Sequence, residues 1–423
     1  MSNSTKKTPY FVFKPKLLEK NYKEFEKLCK KYLKKYVIAY SVKTNSFDEV
    51  IECLDKLGSG FEVASFDEIE TINKVFGIEV EKEKQSTIQS KNKKLIVNNK
   101  KENNIVNNKQ KFIVFNGCCK TDEELETAIK NSFLINADSL SEIDKIRRIL
   151  NGNRVDIGLR ISLEENKFGF ELEKLEEIID YCKKNNLEIT CLSFHGGTKL
   201  NINSYKKLIE NVDNIVSGIK NKVKLKYIDL GGGFPDNFQL KNLGVCLEDY
   251  FKLINKLKKF NIIIILEPGR FLVSDAFNLI TKVNVIKQNF GKNYAILDAG
   301  INVLSKITLA SYKFSKIENI SNINFNNNFK IDIEIEYNLI ERGSSFPGMN
   351  SKVNSELIKN KEKKEYILAG PILFKNDVLG KFFGNLEEND LIKIENVGAY
   401  CYNLGWEISY KKPRILVKEF DKK

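Results

Sequence analysis

Eight short runs of largely apolar, β-forming residues alternate with amphipathic helical patterns through the first two-thirds of the chain. The runs are Tyr36–Tyr40, Phe61–Ala64, Phe112–Phe115, Phe133–Asn136, Val155–Ile161, Glu188–Phe194, Leu225–Leu230 and Ile262–Leu266. Helical periodicity fills the gaps at Asp48–Leu57, Phe66–Phe76, Asp122–Lys130, Ser141–Leu150, Leu172–Lys184, Ser204–Lys220 and Leu247–Lys259. Strands joined by helices must run parallel, and parallel strands need both faces covered, so the pattern predicts an α/β fold. Eight strands favour a (β/α)8 TIM-type barrel over an open doubly wound sheet. No G-x-G-x-x-G opens a helix after the first strand, as the open sheet would ask.

Three stretches lie outside this alternation. Pro9–Phe13 reads as a lone strand ahead of a helix over Pro15–Lys34. Val80–Gln110 is dominated by lysine, asparagine, glutamine and glutamate without apolar period, and reads as a disordered surface insertion. After about Lys282 strand-like segments recur without long helices, at Tyr294–Leu297, Lys330–Tyr337, Glu365–Leu368, Leu391–Ile394 and Arg414–Val417. The expected organisation is an entry segment (1–30), a barrel domain (31–282) carrying the insertion (80–110), and a mostly-β C-terminal domain (283–423). The lone N-terminal strand could join the last.

Composition narrows the function classes. The net charge is +13, but lysine is spread along the whole chain and no RNP-like, zinc-finger or basic-helix motif accompanies it, which argues against a nucleic-acid partner. Eight cysteines lack metal-ligand spacing and read as reduced thiols of a cytoplasmic protein. Met1–Thr8 is short and polar and reads as no signal peptide, and no apolar run approaches a membrane span.

Barrel chemistry gathers at the C-terminal strand ends. Here those ends carry Lys43, Ser65, Asn116, Asp138, Arg160, His195, Gly231–Gly233 and Glu267–Arg270. Lys43, in Tyr40-Ser41-Val42-Lys43-Thr44-Asn45, is placed to trap a carbonyl, and desolvation would lower its pKa and free the amine. His195 is the chain's only histidine and is followed by Gly196-Gly197. Gly231-Gly232-Gly233 offers successive unhindered N–H groups, a nest for a phosphate. Glu267 could hold a protonated ring nitrogen and Arg270 could pair with a phosphate.

Taken together these pieces resemble the fold-type-III pyridoxal-phosphate decarboxylases, the group of ornithine, diaminopimelate and carboxynorspermidine decarboxylases. The resemblance rests on the Lys43 segment, Gly60–Ser65, Asn166-Lys167-Phe168-Gly169, the His195 segment, Gly231–Gly233, Glu267–Arg270, Asp298-Ala299-Gly300 and Gly398-Ala399-Tyr400. The overall look is nearest to diaminopimelate decarboxylases. The resemblance implies pyridoxal 5'-phosphate as cofactor. It implies Lys43 as the covalent carrier, His195 stacked on the ring, Glu267 at the ring nitrogen, and Gly231, Gly232, Gly233, Arg270 and Tyr400 around the phosphate. It further implies a homodimer with shared active sites.

The departures lie on the substrate side. In Gly370–Asp377, Leu373 stands where the family carries a cysteine, and Phe374 where diaminopimelate enzymes carry glutamate; Asp377 is kept. Lys306 occupies the region of an arginine that clasps a distal carboxylate, Ala310 that of a tyrosine with Tyr312 close by, and Glu62 replaces an aspartate. Cys401 is near in sequence but at another position. The expected function is decarboxylation of an amino acid with an altered or carrier-tethered substrate. A racemase-like enzyme and a non-catalytic regulatory homologue are the alternatives.

Overall fold

A computed structural model describes residues 7–76, 111–150, 156–198, 200–305, 312–317 and 364–418. The insertion 80–110, the strand expected over 330–337, Lys306 and Ala310 lie outside the described residues.

The first strand, β1 (Tyr10–Phe13), leads into α1 (Pro15–Tyr32). Proline at the first helical position costs no hydrogen bond there, and Leu18, Tyr22, Phe25 and Cys29 recur at helical spacing to form the buried stripe. Then come β2 (Tyr36–Ser41), α2 (Asp48–Lys56), β3 (Gly60–Val63), α3 (Phe66–Phe76), β4 (Ile113–Phe115), α4 (Asp122–Lys130), β5 (Leu134–Ala137), α5 (Leu140–Leu150) and β6 (Ile157–Ser162). The two-residue β7 (Phe170–Glu171) precedes α6 (Leu175–Lys184), β8 (Ile189–Phe194), α7 (Ile202–Ile219), β9 (Tyr227–Asp229), α8 (Asn237–Leu243), α9 (Leu247–Ile254) and β10 (Ile263–Leu266). The order β5-β4-β3-β2-β10-β9-β8-β6 closes through a β5–β6 pairing. Every ladder in it is parallel. The eight expected strands therefore form a closed TIM-type barrel.

Inside the barrel, side chains obey the period of two. Ala39, Val114, Leu134, Cys191 and Ile265 form one buried cluster. Two residues further along each of these strands stand Ser41, Asn116, Asn136, Ser193 and Glu267. The apolar layer plugs the barrel, and the polar layer above it becomes the floor of the open end.

After the short α10 (Arg270–Val273), a second sheet is built from β11 (Phe277–Asn289), β12 (Lys292–Leu297), β13 (Lys313–Lys316), β14 (Lys364–Ala369), β15 (Val378–Gly384), β16 (Leu391–Glu395) and β17 (Arg414–Val417), with α11 (Cys401–Leu404) between the last two. Its order is β13-β16-β11-β12-β14-β15. Strand β1 pairs antiparallel with β11 and parallel with β17, the place the sequence left open for it. Strand β11 runs unbroken through residues 282 and 283, where the sequence reading divides the chain. Its first half pairs with β1 and β16, so residues 277–282, placed within the barrel domain by the sequence reading, are built into the second sheet. Among the described residues no helix is long and apolar enough to cross a membrane.

Candidate active site

The open end of the barrel holds a cleft lined by Ser41, Lys43, Thr44, His195, Thr198, Gly232, Gly233, Phe234, Glu267, Gly269, Arg270 and Tyr400. Four strand ends and one segment of the second sheet thus bring together most of the residues singled out from the sequence. Ser41, Thr44 and Thr198 join them unforeseen.

Lys43 sits in a 3-10 turn, Val42–Thr44, that follows β2 directly. The turn is laced to the second sheet. Tyr400 N–H donates to Thr44 O at 2.7 Å, and Asn45 Nδ2 donates to Gly398 O at 2.9 Å. Asn403 Nδ2 donates to Lys43 O at 3.3 Å, and Asn403 Oδ1 accepts from Ser46 N–H at 3.1 Å. Gly398 can be nothing larger: a Cβ there would lie 1.7 Å from Val273 O. These contacts hold the lysine backbone from a segment more than 350 residues away in sequence.

The Lys43 ammonium donates to both oxygens of Glu62, at 2.8 and 2.6 Å. The lysine side chain is 42% exposed at the cleft, whereas Glu62 is fully buried. Burial pushes the Lys43 amine down, but Glu62 and then Glu267 outweigh it and hold the pKa above its usual value. The expectation of a depressed amine is therefore reversed: the carboxylates win over desolvation. Burial likewise pushes Glu62 up, and Lys43 with the Ser41 hydroxyl overcomes it, leaving the carboxyl below its ordinary range.

Below the lysine lies a connected polar floor. Asn116 Nδ2 donates to Glu267 Oε1 at 2.6 Å. Asn136 Nδ2 donates to Asn116 Oδ1 at 2.7 Å and to Asp229 Oδ2 at 2.9 Å. Ser193 Oγ donates to the same Asp229 oxygen at 3.1 Å, and Gly231 N–H donates to its other oxygen at 2.9 Å. Burial, then Asp229 and Glu62, raises Glu267 well above the ordinary carboxyl range. The sequence reading missed Asn136, Ser193 and the role of Asp229. The signal was available: each lies on the inward face, two residues beyond the apolar layer or level with it.

His195 is exposed at the cleft, with Nδ1 accepting from Gly197 N–H at 3.1 Å. Desolvation on its protein side, then Lys43 and Arg160, push the imidazole down to about 4, so it is neutral near pH 7. Arg270 is buried and lies under the Tyr400 ring, 5.1 Å from its centroid. It forms no ion pair with a carboxylate among the described residues. A buried guanidinium without an anion is costly, so this position calls for a bound one. Beside it the Thr44 hydroxyl is buried without a partner. A Cβ on Gly232 would lie 2.6 Å from Glu267 O, and one on Gly269 would lie 2.1 Å from Thr44 Oγ1. The glycines leave a cradle that side chains would fill. Arginine, an orphan hydroxyl and free backbone fit a phosphate; the raised Glu267 carboxyl fits a ring nitrogen; Lys43 fits an aldehyde. The residues present suit pyridoxal phosphate.

Other expected residues stand elsewhere. Leu373 is fully exposed at the tip of the 370–377 loop, and Phe374 is 48% exposed. The Asp377 carboxylate is turned inward, accepting from Ile301 N–H at 2.7 Å and Ile372 N–H at 3.0 Å, so within one chain it staples the loop. Cys401 is buried 3.2 Å from Tyr312 Oη and does not line the cleft. Asp138 and Arg160 pair at 3.5 Å, with the guanidinium 4.3 Å from the Phe168 ring centroid. Ser65 Oγ accepts from Glu68 N–H at the start of α3.

Barrel, second sheet and cleft together define a class of enzyme that binds a phosphorylated carbonyl cofactor at a lysine. Residues 18–274 match the family model of the pyridoxal-dependent decarboxylases, over its pyridoxal-binding domain. The chain belongs to this family, and it is a pyridoxal-phosphate-dependent amino-acid decarboxylase. It is 30% identical over 322 residues to a diaminopimelate decarboxylase of Helicobacter pylori strain J99, covering 70% of either chain. It is 24% identical over 434 residues to the diaminopimelate decarboxylase of Vibrio cholerae, covering 96% of this chain and 86% of that one. The fold is shared with the crystal structure of Helicobacter pylori diaminopimelate decarboxylase complexed with L-lysine, at a TM-score of 0.74 and 24% identity, covering 98% of this chain and 92% of that one. It is shared also with lysine/ornithine decarboxylase from Vibrio vulnificus complexed with cadaverine, at a TM-score of 0.72 and 20% identity, covering 98% and 95%.

Proposed function

We propose that Lys43 carries pyridoxal phosphate, with His195 against one ring face, Glu267 at the ring nitrogen, and Gly231–Gly233, Arg270 and Tyr400 at the phosphate. The observation that carries this reading is the buried Arg270, without a carboxylate partner among the described residues, in the same cleft as the orphan Thr44 hydroxyl and the glycine run. When bound, the cofactor supplies an electron sink for the carbanion left by carbon dioxide. The chain's own residues prepare for it. Glu62 receives the Lys43 ammonium whenever the amine is not engaged, and Asn116 fixes the Glu267 carboxyl.

The substrate is an amino acid of the diaminopimelate-like class whose distal end differs from a free zwitterion, such as an aminoacyl group tethered to a carrier. Leu373 and Phe374 support this reading, because neither can hydrogen-bond a distal ammonium or carboxylate. Leu373 cannot donate a proton, so the returning proton comes from another acid. The enzyme works as a homodimer in which the 370–377 loop, held in shape by Asp377, brings its apolar tip, Leu373 and Phe374, to the partner's cleft. Eight free thiols suit a reducing cytoplasm.

Purified protein is titrated with pyridoxal phosphate and then assayed for carbon dioxide release from diaminopimelate, ornithine, lysine, arginine, carboxynorspermidine and carrier-bound amino acids. A visible absorption band that is lost in Lys43→Ala is the expected result. Efficient turnover of free meso-diaminopimelate would overturn the substrate reading; absence of the band would overturn the site.

A further inference from the structure

Three carboxyls and one ammonium meet beneath the cleft. Glu62 and Asp229 are fully buried and Glu267 is 3% exposed. The ammonium of Lys43 is spent on Glu62. Neither Asp229 nor Glu267 forms an ion pair with a cation among the described residues. Glu267 N–H donates to Gly231 O at 2.8 Å, and Gly231 N–H donates to Asp229 Oδ1, so the two side chains come off neighbouring ends of the parallel strands β9 and β10. Asn116 and Asn136 link them, as Glu267–Asn116–Asn136–Asp229. Two buried carboxylates on neighbouring strand ends, with no ion-paired cation between them among the described residues, cannot both ionise. The donors are unequal: Asp229 accepts from Gly231, Asn136 and Ser193, whereas Glu267 accepts from Asn116. Ionic charge therefore settles on Asp229 and the proton on Glu267.

We propose that Asp229 is a positioning residue for Glu267: the pair holds a single proton, stored on the Glu267 side and presented to the ring nitrogen of the cofactor. This rests on the reading that Glu267 faces that nitrogen. Were the cofactor bound, Glu267 would give up its proton to the ring nitrogen, the O–H bond breaking as the N–H bond forms, and no proton would need to be drawn from solvent. Glu267 and Asp229 would then both be ionised, with their charge balanced by the protonated ring in place of the shared proton. Among the described residues the other titratable groups against the pair are Glu62, Lys43, Cys191 and His195, whose ring meets Glu267 across Gly231. Burial raises the Cys191 thiol well above its usual range, so it stays neutral.

The test is an infrared difference spectrum of the full-length protein without cofactor near neutral pH. Wild type is expected to show the carbonyl stretch of a protonated carboxyl that disappears in Asp229→Asn and, independently, in Glu267→Gln, since either amide leaves one carboxylate able to ionise. A band that persists unchanged in Asp229→Asn would overturn the proposal, because burial alone would then protonate Glu267. A band unchanged in Glu267→Gln would overturn it too. The second variant keeps the test decisive if the first does not fold. Because no cofactor is present, failure here is separate from failure of the cofactor reading, which the visible band and Lys43→Ala decide.

Discussion

At the residue level the site is governed by which charges are paired. His195 shows this in a measurable way. Its ordinary pKa of 6.5 falls to about 4 in the folded protein, through desolvation and then Lys43 and Arg160. Between those values the unfolded chain binds a proton that the native state refuses, so stability declines as pH falls through the window and the loss is complete below the folded pKa. His195→Gln is expected to flatten this part of the profile, read by urea unfolding across the window; an unchanged slope would assign the acid sensitivity elsewhere. Lys43, His195, Gly231–Gly233, Glu267 and Arg270 were legible in the sequence because each follows a strand-like run. Glu62 was legible only as a substitution. That it holds the lysine as an ammonium depends on a distance of 2.6 Å across two strands, which no linear pattern reveals.

At the level of elements, the strand ends must be held still for the floor to stay connected. Lys120, just past β4, has a fully buried side chain, and it donates to Glu142 at 2.6 Å, to Asn136 O at 2.8 Å and to Gly117 O. It thus clamps the ends of β4 and β5, which carry Asn116 and Asn136. Burial pushes the Lys120 ammonium down and the Glu142 carboxyl up. Removing one partner strands the other in the interior. Lys120→Met is expected to cost about 3–5 kcal/mol in denaturant unfolding, and Lys120→Met/Glu142→Leu to recover most of it. A double variant no more stable than the single would show that the lysine's carbonyl contacts, and not the buried charge, carry the effect. The strands themselves were readable from β-branched and aromatic runs, since period and flanking helices survive in sequence. Strand β11 was not read at all, because the sequence reading placed its domain boundary at residues 282 and 283, inside the strand, and the strand is defined by partners distant in sequence.

At the level of the whole molecule, the cleft is incomplete without the second sheet, which supplies Tyr400, and the tip of the 370–377 loop points outward. An exposed leucine beside an exposed phenylalanine is an apolar tip left uncovered by the described residues. Leu373→Asp is expected to weaken self-association at least ~10-fold, seen by sedimentation velocity. Carbon dioxide release should be lost with it, while the Lys43-dependent absorption band remains. Association unaffected by the charge would place the dimer contact away from this loop.

The sequence by itself determined the alternation that closes the barrel, the glycine run that leaves backbone free, and the lysine that follows β2. These are local: side-chain periodicity, turn chemistry and strand ends are written within a few residues of one another. Only the tertiary structure decided what each group is bonded to. Asn45 meets Gly398 across 353 residues, and Asn136 meets Asp229 across 93. Whether Lys43 is amine or ammonium, and which carboxyl keeps a proton, follows from such contacts, because in a buried floor protonation is set by the neighbours and not by the residue.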